Sequence, residues 1–131
     1  MLTQFFKPAS VAVIGASKTP GKVGYAILKN LIDGKFPGPV VAINPSATEI
    51  LGVKCYPDLA SYGKPVELVV IVVPAAAVKT AVDNAIAAKA QSIVVITAGF
   101  KETGKDGAAL EREIAQTCVE NGVRMLGPNC L

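Results

Sequence analysis

The stretch VAVIGASKTPGKVGYAIL, residues 11–28, decides the fold because it joins three kinds of local structure without a break. A short apolar run leads into a glycine-rich turn with two lysines, and Val23, Ile27 and Leu31 then follow at helical spacing. Glycines let the backbone approach a ligand closely, and the start of a helix offers free N–H groups and the positive end of its dipole. The stretch therefore predicts a strand, a turn that holds a diphosphate, and a helix.

Runs of β-branched and other apolar residues recur along the rest of the chain. They predict buried strands at residues 10–14, 39–43, 66–73, 92–97 and 123–126. A weaker run at 53–56 predicts a further strand at the sheet edge, beyond 39–43. Because helical patterns separate the strands, we expect right-handed parallel crossovers. The predicted fold class is α/β, with a doubly wound, Rossmann-like, mostly parallel sheet in three layers.

The helical patterns are stripes of apolar residues that recur every four positions. The second and third stripes are Val78, Val82 and Ile86, and then Leu110, Ile114 and Cys118. Gly34 and Gly122 stand where the first and last helices are predicted to end, as is typical of a left-handed terminal residue. No linker or repeat interrupts the sequence, so we expect residues 1–131 to form one domain.

Composition narrows the classes of function. The chain has 131 residues, of which 51% are apolar and 18% charged, enough to bury the core of one domain. Its net charge is +3 with dispersed lysines, which gives no basic footprint for nucleic acid. The longest apolar run, residues 68–78, is too short to cross a bilayer, and the first ten residues lack the pattern of a secretory signal. We expect a cytoplasmic protein with no nucleic-acid or membrane partner.

Glycines, prolines and small residues follow the predicted strands, where ligands bind in doubly wound sheets. These strand ends are residues 15–24, 44–46, 74–76, 98–101 and 127–130. Backbone N–H groups at such ends can approach a ligand closely. We expect the five ends to form one crevice for an extended ligand.

The turn after the first strand matches neither of two common nucleotide-binding motifs. It is not G-x-G-x-x-G, and Gly15 to Lys22 is one residue longer than the Walker sequence, with Val23 where a magnesium-binding hydroxyl would stand. Each lysine of the turn can equally be read as an ordinary exposed charge. The side chains that could still donate to a diphosphate are Ser17, Lys18, Thr19 and Lys22.

The end of the second predicted strand bears on which nucleotide binds. Sheets that bind NAD place an acidic residue there for the ribose hydroxyls, but this chain has Asn44, Pro45 and Ser46. Asp33 lies at a suitable distance along the sequence, yet it falls at the predicted end of the first helix. Since a carboxylate would repel a phosphate on the ribose, its absence favours NADP or coenzyme A over NAD.

Five segments, in chain order, are FFKPASVAVIGASKTPGKVGYAILKNL, VVAINPSATEILGVKCYPDL, VIVVPAAAV, VVITAGFKETG and VRMLGPNCL. Together they resemble the N-terminal CoA-binding domain of the nucleoside-diphosphate-forming acyl-CoA synthetases. The ADP-forming acetate–CoA ligases are the most similar members, and the α subunit of succinyl-CoA synthetase is more distant. The resemblance implies a CoA-binding domain over residues 1–131, with coenzyme A lying across the strand ends.

The resemblance also implies which residues contact coenzyme A. The CoA phosphates and adenosine would be held by Gly15, Ala16, Ser17, Lys18, Thr19, Pro20 and Gly21. The path of the adenine or of the pantetheine would be lined by Val73, Pro74 and Ala75, and the pantetheine arm by Thr97, Ala98 and Gly99. In the family a basic contact often follows the Asn-Pro of the second strand. Here that residue is Ser46, so either the contact is absent or Lys18 or Lys22 replaces it.

The family reaction joins a carboxylic acid, CoA and a nucleoside triphosphate through an acyl phosphate and a phosphorylated histidine. This chain has no histidine, and in the family the histidine lies on the next domain and the nucleotide on an ATP-grasp module. We therefore expect a piece of a larger synthetase without a catalytic residue of its own. Its expected partners are CoA or acyl-CoA and the remaining synthetase domains or subunit.

The three cysteines, Cys55, Cys118 and Cys130, are expected to be structural. They have no paired ligand spacing, so neither a disulfide framework nor a metal site is predicted. Cys130 is not expected to be a nucleophile, because the chain has no histidine to form its thiolate.

Two other functions remain open on the sequence. A stand-alone CoA-binding module, or the regulatory part of a protein acetyltransferase, would carry the same domain, although GPNC at residues 127–130 favours the larger ligase. A fragment of an NAD(P)-linked oxidoreductase is disfavoured by the first turn and by Asn44.

Overall fold

A computed structural model of the chain describes residues 8–96 and 105–129, apart from the side chains of residues 75, 105–108 and 127–129. Its strands are β1 (Val11–Ile14), β2 (Val40–Ile43), β3 (Glu49–Ile50), β4 (Val53–Tyr56), β5 (Leu68–Ile71), β6 (Ser92–Ile96) and β7 (Arg124–Asn129). Its helices are α1 (Val23–Asp33), α2 (Leu59–Tyr62), α3 (Ala75–Ala87) and α4 (Lys105–Glu120). Each strand and helix that the sequence predicts is present, with small shifts at the ends.

The strands form one seven-stranded sheet in the order β3-β4-β2-β1-β5-β6-β7. Neighbouring strands are parallel except for β3 and β4, which are antiparallel. The strand order reverses at β1, because β2 pairs with one of its edges and β5 with the other. This confirms the doubly wound, mostly parallel sheet, whose ligand site is expected at the carboxyl ends beside that reversal.

Alternate residues of β1 pack against different helices. Val11 and Val13 lie in one buried cluster with Leu28 of α1, whereas Ala12 lies in a second cluster with Val78 of α3 and Ile114 of α4. Successive side chains of a strand point to opposite faces, so these clusters lie on the two sides of the sheet. The three predicted layers are therefore confirmed.

Two glycines bring the start of α1 and the turn before it close to the sheet. A Cβ on Gly24 would lie 2.0 Å from the carbonyl oxygen of Gly15. Gly15 has a φ of 95°, and a Cβ on it would lie 1.8 Å from the carbonyl oxygen of Val72. Only glycine fits such positions, so these residues fix the turn beside the ends of β1 and β5.

The end of α1 differs from the prediction. Gly34 has a φ of −78°, and the left-handed residue is instead Lys35, with a φ of 53°. The chain turns one residue later because the N–H groups of Lys35 and Phe36 donate back to the carbonyls of Ile32 and Leu31. The prediction of a left-handed Gly34 is wrong, whereas Gly122, after α4, has the expected positive φ of 69°.

Two short elements, β3 and α2, have no counterpart in the sequence-based prediction. β3 pairs with β4 and forms the sheet edge, so the predicted strand at 53–56 lies one position inside that edge. α2 begins after Asp58, whose carboxylate accepts hydrogen bonds from the Ser61 N–H (2.7 Å) and hydroxyl (2.8 Å). A cap of this kind stabilises a helix too short to show an apolar stripe.

Within the parts of the chain that the structure describes, no helix has both the length and the apolar character needed to cross a membrane.

Candidate functional site

The ends of β1, β2, β4 and β5 border a cleft of about 500 Å³, which we call the strand-end cleft. Its size is typical of a small-molecule site, and it lies where the strand order reverses. The residues that line it are Ile14, Gly15, Ala16, Ile43, Asn44, Pro45, Pro57, Asp58, Leu59, Val73, Ala76, Ala77, Thr80, Ala81 and Asn84.

The strand-end cleft has one apolar side and one side of mixed character. Ile14 and Ile43 are the last residues of β1 and β2, and the buried Leu59 begins α2. Across from them, one face of α3 presents alanines together with Thr80 and Asn84, which are four residues apart and therefore neighbours on the helix surface. The small alanines leave room for a flat group against the helix.

Asn44 joins the turn after β1 to the loop after β2. Its side-chain amide donates to the carbonyl oxygen of Ala16 over 2.9 Å, and its Oδ1 accepts from the N–H groups of Ser46 (2.7 Å) and Ala47 (3.0 Å). Its own N–H donates to the carbonyl oxygen of Tyr56 over 3.0 Å. The Asn44 side chain is thus engaged in holding two loops in place.

The turn between β1 and α1 is held by its own hydrogen bonds. The Ser17 hydroxyl accepts from the Thr19 N–H over 3.1 Å, and the Thr19 carbonyl accepts from the Lys22 N–H over 3.2 Å. Lys22 directly precedes α1, and no described side chain caps the start of that helix. The first-turn N–H groups of α1 therefore lack a side-chain acceptor, which is the arrangement that favours an anionic ligand.

The structure brings some of the predicted binding residues together and separates others. Those that line the strand-end cleft are Gly15, Ala16, Asn44, Pro45 and Val73. Those that lie outside its lining are Ser17, Lys18, Thr19, Pro20, Gly21, Lys22, Ser46 and Pro74. Thr97, Ala98 and Gly99, and the side chain of Ala75, fall outside the described residues. Lys18 and Lys22 are exposed on the turn between β1 and α1, and Lys22 directly precedes the helix.

Ala76 falls in the predicted strand end 74–76, but reasoning from the sequence missed what α2 and the rest of α3 contribute to the strand-end cleft. Ala76, Thr80 and Asn84 recur every four residues along α3, next to its apolar stripe, and this spacing was a signal that could have marked them. Leu59 gave no such signal, because a four-residue helix has no periodicity.

Asp58 is the single charged residue among those that line the strand-end cleft. Hydrogen bonds from the hydroxyl and the backbone N–H of Ser61 lower the pKa of the Asp58 carboxyl below its ordinary value of 3.8. The carboxyl is therefore ionised at neutral pH. It adds a negative charge to a cleft whose other walls are apolar or neutral.

Two of the cysteines are placed by the structure, and both are buried. Burial raises the pKa of the Cys55 and Cys118 thiols, which keeps them protonated and unreactive at neutral pH. Across residues 8–96 and 105–129, no group of three or more histidine, cysteine, aspartate or glutamate side chains could hold a metal ion. Cys130 lies outside the described residues.

Comparison with known proteins gives consistent matches. A family model described as CoA binding domain matches residues 9–131. The chain is 48% identical over 130 residues to an ADP-forming acetate–CoA ligase I of Archaeoglobus fulgidus, covering 99% of this chain and 19% of that protein. It is 40% identical over 131 residues to the α subunit of an ADP-forming acetate–CoA ligase II of Pyrococcus furiosus, covering 100% of this chain and 28% of the subunit.

The fold of the chain is also similar to that of a solved acetyl-coenzyme A synthetase structure. The "dinucleotide forming" acetyl-coenzyme A synthetase 1 of Ca. Korarchaeum cryptofilum, in complex with phosphate and ADP, superposes with a TM-score of 0.91 at 43% identity. The match covers 98% of this chain and 27% of that one. The chain thus spans less than a third of the length of each of these relatives.

Proposed function

The chain belongs to the CoA-binding-domain family, and from this premise we propose that it binds coenzyme A as the CoA-binding part of an ADP-forming acid–CoA ligase. The whole ligase would convert an acid, ATP and CoA to acyl-CoA, ADP and phosphate. We propose that residues 1–131 act as one domain beside the remaining synthetase domains or subunit, including an ATP-grasp module for the nucleotide, in the cytoplasm.

The observation that carries the proposal is the position of the strand-end cleft beside the start of α1. Gly15 and Gly24 hold the glycine-rich turn against β1 and β5, so the start of α1 packs against Gly15, which lines the cleft. This arrangement supports a ligand with a diphosphate at the turn and a nucleoside in the cleft. Coenzyme A has both parts, together with an extended arm.

We propose that the turn from Ser17 to Lys22 binds the CoA phosphates through backbone N–H groups and through the ammonium groups of Lys18 and Lys22. Both lysines are exposed and lie on the loop that precedes α1, where they can turn toward a bound anion. The pantetheine arm would then run past Val73, Pro74 and Ala75 toward Thr97, Ala98 and Gly99. The resemblance to the ADP-forming acid–CoA ligases implies this path.

Asn44 supports coenzyme A over NAD. The side chain at the end of β2 is an amide whose donor and acceptor are both used within the protein, so no carboxylate stands ready for two ribose hydroxyls. A neutral group there also does not repel a phosphate on the ribose.

The test is a calorimetric titration of the 131-residue chain with CoA, dephospho-CoA, NAD and NADP in one buffer. We expect CoA to bind most tightly and NAD far more weakly. Tighter binding of NAD than of CoA would overturn the assignment.

A second assay addresses catalysis. The chain has no histidine to carry a phosphoryl group, so we expect no acyl-CoA from acetate, ATP and CoA when it is assayed alone. Formation of acyl-CoA by this chain without other subunits would contradict the proposed division of the ligase into parts.

A further inference from the structure

A second cavity of about 410 Å³ adjoins the strand-end cleft, and we call it the side cavity. Its lining includes Lys64, Pro65 and Lys89, and it shares Asp58, Leu59 and Asn84 with the strand-end cleft. The two spaces therefore share a border at these three residues, and we call this border the inner end of the strand-end cleft.

The inner end carries two polar groups with complementary chemistry. The Asn84 side chain is exposed and makes no hydrogen bond within the described residues, so its amide can both donate and accept. The Asp58 carboxylate uses Oδ1 to accept from Ser61, which leaves Oδ2 for another donor. A donor and an acceptor thus lie at the inner end of the strand-end cleft, and we call the space between the strand ends and α3 the slot.

The slot between these groups and the cleft mouth suits a planar ring. The lining there includes Ile14, Ile43 and Leu59, together with Ala77, Thr80 and Ala81 of α3, so the surface next to a bound group is mostly apolar and its α3 side chains are small. An aromatic base buries its faces in such a slot and presents only its edge to polar groups. The Asp58 carboxylate disfavours a phosphate in direct contact with it, whereas Lys64 and Lys89 line the adjoining side cavity.

We propose that Asn84 and Asp58 read the edge of the nucleotide base and select an amino purine over an oxo purine. This inference rests on the proposed function, because it takes the base to be that of coenzyme A. An exocyclic amino group donates to the Asp58 carboxylate, whereas an oxo group in its place faces that carboxylate with a lone pair. The Asn84 amide pairs with the neighbouring ring edge, as asparagine does when it pairs with adenine in other complexes.

The test compares two probes by calorimetry on the 131-residue chain. One probe is CoA, and the other is its inosine analogue, in which an oxo group replaces the adenine amino group. We expect the unaltered chain to bind CoA at least about tenfold more tightly than the analogue. Replacing the hydrogen bond to the Asp58 carboxylate by a contact between two acceptors lowers affinity by about that factor.

Variants then assign the selection to the two residues. Asn84→Ala is expected to weaken CoA binding about three- to tenfold and to reduce the preference over the analogue. Asn84→Asp, which keeps the size but loses the donor, is expected to weaken CoA binding at least as much. Asp58→Asn keeps a cap for α2 while removing the charge. We expect this variant to show a smaller preference for CoA over the analogue. Asn30→Ala, at an exposed asparagine of α1, is the matched control and is expected to behave like the unaltered chain.

The outcomes separate this inference from the proposed function. If the unaltered chain binds CoA but the Asn84 variants keep its affinity and its preference, the base does not lie at the inner end and the inference is overturned. If the unaltered chain binds neither CoA nor the analogue, the proposed function fails and the inference fails with it.

Discussion

The side-chain amide of Asn44 donates to the carbonyl oxygen of Ala16 over 2.9 Å, across 28 residues of sequence. The bond joins the turn after β1 to the loop after β2, so one asparagine sets the spacing of two loops that border the strand-end cleft. Asn44 stands where NAD-binding sheets carry an acidic ribose ligand. In the folded chain its side chain instead links two loops.

The first prediction concerns this link. Asn44→Ala removes the donor to Ala16 and the acceptor for the N–H groups of Ser46 and Ala47, and we expect a loss of about 1–3 kcal/mol in the free energy of unfolding. Urea denaturation measures it. Asn44→Asp keeps the acceptor but places a carboxylate oxygen against the Ala16 carbonyl oxygen, so we expect it to be destabilised as well. Equal stability of all three chains would show that the link contributes nothing.

The second prediction concerns the approach of α1 to β1. Gly24→Ala places a methyl group 2.0 Å from the carbonyl oxygen of Gly15, so we expect a loss of about 1–3 kcal/mol or more, although alanine itself favours a helix. Thermal melting followed by circular dichroism measures it. Asn30→Ala, at an exposed position of the same helix, is the control and is expected to change stability by less than about 0.5 kcal/mol. If Gly24→Ala is as stable as this control, α1 does not lie as close to the Gly15 carbonyl as the structure shows.

The third prediction concerns the lysines of the turn. If the ammonium group of Lys18 or Lys22 meets a CoA phosphate, its replacement by alanine is expected to cost about 1.5–3 kcal/mol, or about ten- to a hundredfold in affinity. Calorimetric titration with CoA measures the change. Lys35→Ala removes the same charge beyond the other end of α1 and is expected to leave the affinity unchanged. If Lys18→Ala and Lys22→Ala both bind CoA as the parent chain does, the phosphates are held by backbone N–H groups alone.

The fourth prediction concerns the pH dependence of the cap on α2. Hydrogen bonds from Ser61 lower the pKa of the Asp58 carboxyl in the folded state below its ordinary value of 3.8. The ionised carboxylate therefore stabilises the folded chain fully above pH 3.8, and this contribution is lost as the pH falls through the folded-state pKa. Asp58→Ala is therefore expected to lower the melting temperature at pH 7, by an amount that shrinks below about pH 4. Melting curves of the two chains over pH 3–7 measure it. A difference that stays constant over that range would show that the ionised carboxylate is not what stabilises the cap.

Much of the fold could be predicted from the sequence because its signals are local. The apolar run before Gly15 and the stripe from Val23 to Leu31 each lie within a few turns of chain, and the structure places β1 and α1 there. When strands and helices alternate along a chain, few sheet topologies are possible, because the crossovers between parallel strands are right-handed. The prediction failed where a signal was weak, as at the two-residue β3, or where local hydrogen bonds moved a turn, as at Lys35.

The candidate site was predicted only in part, and the reason is geometric. Gly15 and Ala16 could be assigned because a glycine-rich turn after a strand carries its own signal. Asn84 shares a four-residue spacing with Ala76 and Thr80, but that spacing does not tell what this face of the helix meets. The face borders the cleft only once strand order sets α3 beside the ends of β1 and β2.

The sequence by itself determined the class of fold and the glycine-rich turn between β1 and α1, because hydrophobic period and glycine placement act over short distances along the chain. Only the tertiary structure decided that Asn44 is a link between loops, that Gly24 allows the close approach of α1, and that Asp58 and Asn84 line the same two cavities. These relationships join residues far apart in sequence. They exist only after burial of the two faces of the sheet has fixed where each helix lies.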